Sequence, residues 1–261
     1  MTRRLRDLGR LAVLLSLLSA GGARAEPSRR ELVVFEAASL KDVFARLARR
    51  FEAENPGVAV VANAAGSQEL RTQLEQGAAA DVFASADRNH MDAVVARKLV
   101  DAPAILACNE PVVVVRAGLT PPVTRFADLP RAERIVVGAP DVPVGRYMRS
   151  ILDKAAAKLG PDFAARVEAR IVSRELNVRQ VLAKVVLGEA DAAVVYRSDA
   201  LAAAGKVRLV EIPPDLNVTA EYPIATLRAA PHADLARRFV ALVRSPEGVA
   251  ALREAGFVPC R

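Results

Sequence analysis

The stretch "VVFEAASLKDVF", residues 33–44, is where two periodicities meet. The run Leu32, Val33, Val34, Phe35 is apolar without alternation, as a strand buried on both faces should be. It stops at Ala37-Ala38-Ser39. A helical pattern starts at once, with Leu40, Val43, Phe44, Leu47, Ala48 and Phe51 on one face. A buried strand running straight into a helix is the opening of an α/β unit. It leaves Ser39 at the junction, where backbone N–H groups lack partners.

The same alternation continues along the chain. Strand 58–62 leads to helix 68–76, and strand 81–84 to a helix beginning near Asp87. Strands are expected at 111–115, 134–138, 192–196, 207–212 and 222–227. Helices are expected over 40–53, 146–159, 162–169, 178–187, 232–243 and 246–255. Strands that alternate with helices predict an α/β fold with mostly parallel sheets flanked by helices. The stretches near 108–112 and 218–223 read as paired crossings between two lobes, with the C-terminal helices returning to the first lobe.

Residues 1–25 form a separate object. A basic start, "MTRRLRDLGR", precedes the ten-residue apolar run "LAVLLSLLSA", and "ARA" at 23–25 fits signal peptidase. The apolar run is too short to span a bilayer. The reading is an export signal cleaved after Ala25, and a periplasmic mature protein. The signal carries net +4 of the chain's +7, so residues 26–261 hold only +3. That mild charge, with no Trp and 4% aromatic residues, excludes the basic groove and stacking platform of a nucleic-acid binder. Cys108 and Cys260 both lie in the exported part, where an even count points to a disulfide; two buried free thiols are the alternative.

Signals for catalysis or metal binding are weak. His90 and His232 each sit in a polar setting at a helix start, with no cysteine or carboxylate at metal-ligand spacing, and are expected to be exposed. "AGSQE" at 65–69 lacks the second glycine of a nucleophile elbow, and no phosphate-binding loop is present. An enzyme with Cys108 as nucleophile would need a base in "LACNEP", which offers only Asn109 and Glu110.

A set of helix starts stands out instead. Ser39, Ser67, Val144 and Val178 each fall at a junction where a helix begins. Such starts offer free N–H groups and positive partial charge, and bind anions without lysine or arginine. Taken singly, either serine reads as an ordinary helix cap: Ser39 has Asp42 three residues on, and Ser67 precedes an expected helix.

The segments "VFEAASLKDVF", "AAGSQELRTQLEQGAAADVFASAD", "MDAVV", "VPVGRYMRSIL", "NVRQVLAKVVLGEADAAVVYRSDA" and "EYPIAT" occur in that order. Together they resemble the periplasmic molybdate-binding proteins of ATP-driven oxyanion importers, from about residue 31 to the C-terminus. The resemblance implies a type II periplasmic binding protein, two-lobed, with two hinge crossings. The expected division is 26–110 with 221–261 as lobe 1, and 111–220 as lobe 2.

It also implies a ligand, molybdate and equally tungstate, bound through its oxygens with no direct protein–metal ligand and no cofactor. The implied site is the hydroxyls of Ser39, Ser67 and Tyr196, and the N–H groups of Ser39, Ser67, Val144 and Val178. The implied partners are the membrane permease and ATPase subunits of an importer, served by a monomer. Glu36 stands where such proteins usually have a small residue, and would repel an anion if it faced the cleft. Another small anion, sulfate or a carboxylate, is the alternative ligand. A carboxylate would call for an arginine clamp, and Arg146 and Arg179 lie near the helix starts.

Overall fold

The computed structural model describes residues 30–260; the export signal expected over 1–25 lies outside the described residues. In chain order the first elements are β1 (Arg30–Ala37), α1 (Lys41–Glu54), β2 (Val58–Ala65), α2 (Ser67–Glu75), β3 (Val82–Ala84), α3 (Arg88–Ala96) and β4 (Ala104–Asn109). Then come β5 (Pro111–Arg116), β6 (Ile135–Gly138), α4 (Pro143–Leu159), α5 (Asp162–Glu168), β7 (Ile171–Glu175), α6 (Val178–Val186), β8 (Ala192–Tyr196), α7 (Arg197–Ala202) and β9 (Val207–Val210). The chain closes with β10 (Ala220–Thr226), α8 (Ala233–Arg244) and α9 (Pro246–Glu254).

These strands form two five-stranded sheets, in the orders β2-β1-β3-β10-β4 and β7-β6-β8-β5-β9. The chain passes from the first sheet to the second between β4 and β5, and returns between β9 and β10. Two lobes joined by two crossings result, as the paired-crossing reading expected. The sheets are more mixed than that reading: β1 is parallel to β2 and β3, and β6 to β7 and β8, but β10 and β5 run antiparallel to both their neighbours. A strand that enters a sheet from the other lobe, as β5 and β10 do, arrives without the helical crossover that makes neighbours parallel.

The opening junction behaves as its pattern dictates. Leu32 and Val34 are buried on one face of β1, and Phe35 packs into a separate cluster on the other. Helix α1 buries Val43, Phe44, Leu47 and Phe51. Phe44 and Phe51 meet Phe239 of α8 edge-on, with ring centroids 5.8 and 5.4 Å apart, a geometry aromatic quadrupoles favour. The C-terminal helices therefore do return to the first sheet.

Helix α4 starts at Pro143, earlier than the apolar period predicts, because proline loses nothing at a first helical position where its missing N–H has no partner anyway. Three elements escape the periodicity: β4, the edge strand β7 and the short α7 that follows β8 without a loop. Cys108 and Cys260 are bonded, with Cα atoms 5.0 Å apart, pinning the C-terminus to β4. This removes the thiol that a Cys108 nucleophile would require.

Candidate functional site

Ser39, Ser67, Val144, Val178 and Tyr196 all line one small cavity between the lobes. Its wall is made of four chain segments, 37–39, 65–67, 142–144 and 177–178, with Ala86 and Tyr196. About 10 Å³ of it is open to the centre of a water-sized sphere. The backbone comes close because the segments are built of small residues. A Cβ on Gly145 would lie 2.2 Å from the Ala139 carbonyl, so only glycine lets the start of α4 settle against the end of β6.

Each junction presents N–H groups that its helix cannot use. Ser67 and Val178 are first residues of α2 and α6, and Val144 is second in α4. Ser39 lies in a single 3₁₀ turn, Ala38–Leu40, that leads into α1. The first turn of a helix leaves its N–H groups unpaired and carries positive partial charge.

Neither serine is a helix cap. The residue before α2 is Gly66, whose N–H donates to Glu69 Oε2 at 2.9 Å. Ser67 Oγ instead accepts the Ala86 N–H at 3.0 Å. With a lone pair engaged there, the Ser67 hydroxyl hydrogen is free for the cavity. Ser39 Oγ lies 2.8 Å from the Tyr222 hydroxyl, both buried. The Tyr196 hydroxyl is buried with no hydrogen-bond partner, and burial pushes its ionisation well above the ordinary phenol range. It remains a neutral O–H donor at any physiological pH.

Charged side chains stay off the cavity wall. Arg179 holds Asp42 at 2.7 Å and lies 2.8 Å from Asp199. Arg146 stands 3.8 Å from Asp87. Both arginines are committed to carboxylates, and neither lines the cavity, so the clamp a carboxylate ligand would want is missing from its wall.

Glu36 is absent from the lining as well. It is 1% exposed on β1, on the Leu32–Val34 face, and burial pushes its carboxyl up to about 8 despite Lys41 nearby. At neutral pH it is therefore mostly a neutral acid behind the cavity, and the repulsion its position threatened is largely switched off. Asp199, fully buried, is likewise raised to about 6 by burial, with Arg179 acting against the shift.

The lobes touch around the cavity. Gln68 Nε2 donates to the Leu176 carbonyl at 2.6 Å. Gly66 permits this approach, since a Cβ there would fall 2.4 Å from the same oxygen. His90 Nε2 donates to the Asp141 carbonyl at 2.8 Å. The expectation of an exposed His90 is wrong: it is 2% exposed, because the first turn of α3 is covered by the loop leading into α4. His232 is partly exposed, and its N–H donates to Asp81. Sequence reasoning also missed Tyr222, which has no helix-start position to mark it.

A small cavity walled by helix starts from two α/β lobes is a site for a small solute. Bacterial extracellular solute-binding proteins, as a family, match residues 32–258. The chain belongs to that family. Its relatives bind and hand on solutes; they are not enzymes. The molybdate-binding protein ModA of Mycobacterium tuberculosis is 45% identical over 230 residues, covering 87% of this solute-binding protein and 84% of the relative. ModA of Escherichia coli is 32% identical over 254 residues, covering 93% and 94%. Among solved structures, the periplasmic molybdate-binding protein of Azotobacter vinelandii superposes with a TM-score of 0.77 at 21% identity, covering 88% of this chain and all of that one. The sulfate-binding protein SubI of M. tuberculosis gives 0.78 at 20%, covering 88% and 87%. At those identities the two structures speak for the two-lobed fold.

Proposed function

We propose that this solute-binding protein captures the molybdate dianion, and tungstate equally, in the cavity between its lobes, and delivers it to the permease and ATPase subunits of an importer. The observation that carries the reading is the convergence of Ser39, Ser67, Val144, Val178 and Tyr196 on one small cavity with no charged side chain in its wall. Hydroxyls of Ser39, Ser67 and Tyr196 and N–H groups of Ser39, Ser67, Val144 and Val178 serve as donors to the four oxygens. Hydrogen bonds to an ionised acceptor are about twice as strong as neutral ones, so neutral donors suffice for a dianion. Closure around the ligand excludes water and strengthens each bond.

The 45% identity to a protein named for molybdate binding supports the same ligand here. Molybdate and tungstate are nearly equal in size, so the cavity has no means of separating them. Sulfate has shorter bonds to oxygen, and its oxygens fall short of some donors. Residues 26–110 with 221–261 form one lobe and 111–220 the other, a division supported by sheet membership, although β10 begins one residue earlier. The mature protein is a periplasmic monomer beginning at Glu26.

Calorimetric titration of anion-free protein with molybdate, tungstate, sulfate and phosphate tests the reading. One-to-one binding of molybdate and tungstate, at least a hundredfold tighter than sulfate, is expected. Preference for sulfate, or no binding of any of the four, overturns it.

A further inference from the structure

The Ser39 hydroxyl can face the cavity either with its hydrogen or with a lone pair, and its neighbour decides which. That neighbour is Tyr222, on β10, 2.8 Å away and fully buried. Tyr222 is held in turn by edge-on rings of Tyr196 and Phe257, with centroids 5.8 and 5.2 Å distant. A two-hydroxyl contact has two possible directions, so the group on the far side of Tyr222 matters.

That group is Asn109, at the end of β4 and 0% exposed. Its amide orientation is set by two contacts. The Glu110 N–H, which can only donate, meets Oδ1 at 2.9 Å. Nδ2 therefore faces the other way and donates to Ser198 Oγ at 2.8 Å. The second hydrogen of Nδ2 remains for the Tyr222 side, and the Asn109 amide beside the Tyr222 oxygen favours its ionised form, as a donor aimed at that oxygen does. An oxygen that receives a hydrogen bond from Asn109 has its own hydrogen left for Ser39.

We propose that Tyr222 is a positioning and specificity-determining residue: its hydroxyl donates to Ser39 Oγ and so fixes the Ser39 hydroxyl as a donor toward the bound anion. Ser67 is fixed the same way by the Ala86 N–H, which can only donate. Both serines then present hydrogens and no lone pair. The site takes fully deprotonated tetrahedral dianions and rejects those that carry a proton, such as monohydrogen phosphate. The inference rests on the oxyanion reading above and adds what makes the serines donors.

The test compares molybdate and phosphate binding in the parent, Tyr222→Phe, Asn109→Asp, Ser39→Ala and the Tyr222→Phe, Ser39→Ala double variant, by calorimetry and by competition. Tyr222→Phe frees a lone pair on Ser39. Molybdate affinity is expected to fall about tenfold, roughly 1.4 kcal/mol, while phosphate holds or gains. Asn109→Asp reverses the chain, because an acid beside Tyr222 takes its hydrogen, and the phosphate-to-molybdate affinity ratio is expected to rise at least tenfold. In the Ser39→Ala background, Tyr222→Phe should change molybdate affinity less than about twofold, since the residue it acts through is gone.

Equal weakening of both anions, or a full Tyr222→Phe effect persisting without Ser39, overturns the proposal, as does failure of both Tyr222→Phe and Asn109→Asp to fold by circular dichroism. A parent that ignores molybdate but binds sulfate strikes the ligand reading instead, and the same cycle is then read with sulfate. A parent that binds none of these anions removes both.

Discussion

Replacing Ser67 by alanine takes away one donor to the anion and, at the same time, the acceptor for a buried N–H. The first loss acts on binding. A hydrogen bond to a charged partner contributes about 1.5–3 kcal/mol, so molybdate affinity should fall by about ten- to hundredfold. The second loss acts on folding. The Ala86 N–H, now 3.0 Å from Ser67 Oγ, is left in a dry wall, at a cost of about 1–3 kcal/mol. For a chain of this size each kcal/mol lowers the melting temperature by about 2–4 °C.

The two effects separate in one pair of measurements. Anion-free protein should melt lower than the parent, and the added stabilisation by saturating molybdate should shrink as well. A variant in which only the backbone N–H is used gives the contrast. Val178→Ala should leave affinity within about threefold, though its side chain is buried and stability will drop. The reasoning is refuted if folded Ser67→Ala protein binds molybdate as tightly as the parent in calorimetry.

Other outcomes follow from the same geometry. Glu36 is protonated more readily in the fold than in the unfolded chain, with its carboxyl moved from 4.5 up to about 8. The native state then binds more protons, so this group's contribution to stability falls as pH rises between those values, by of order 1 kcal/mol per pH unit. Glu36→Gln should therefore match the parent in melting experiments near pH 4 and exceed it progressively toward pH 8; parallel curves would count against a buried, neutral Glu36. Reducing the Cys108–Cys260 bond, which spans a sequence separation of 152, should destabilise the protein by up to about 5 kcal/mol in the chain-entropy model. Two thiols titrating in unfolded, unreduced protein would show that no such bond forms. His90→Ala removes the donor to the Asp141 carbonyl across the cleft, and should weaken molybdate binding while shifting the anion-free protein to a larger radius of gyration by X-ray scattering; an unchanged radius and affinity would remove its role in closure.

Local pattern carried the elements further than it carried the contacts. The change from a continuous apolar run to a 3.6-residue period marks β1 and α1, and the other strand–helix changes are marked alike. The helix starts that line the cavity could be found for the same reason. Tyr196 and the precise membership of the set came from resemblance, because a tyrosine ending a buried strand has no local sign of where its hydroxyl goes. What could not be read was set by distant partners. Ser39 and Tyr222 are 183 residues apart, and Gly66 faces Leu176 across the cleft. The alternation that would have aimed Glu36 breaks at the turn after Ala37. His90 looked solvent-facing because the loop that covers it belongs to the other lobe. Edge strand β7 alternates too weakly, in "IVSRE", to stand out from a loop.

All three tyrosines of the chain surround the cavity, and there is no tryptophan. Tyr147 and Tyr196 have ring centroids 6.3 Å apart, and Tyr196 and Tyr222 5.8 Å. In most proteins tyrosine emission drains into indole and reports on nothing in particular. Here every phenol is within ring contact of the next, and one of the three hydroxyls lies 2.8 Å from a serine of the site. The whole ultraviolet emission of the molecule thus originates beside its ligand. Occupancy can be followed on the unlabelled protein, in real time, by light alone.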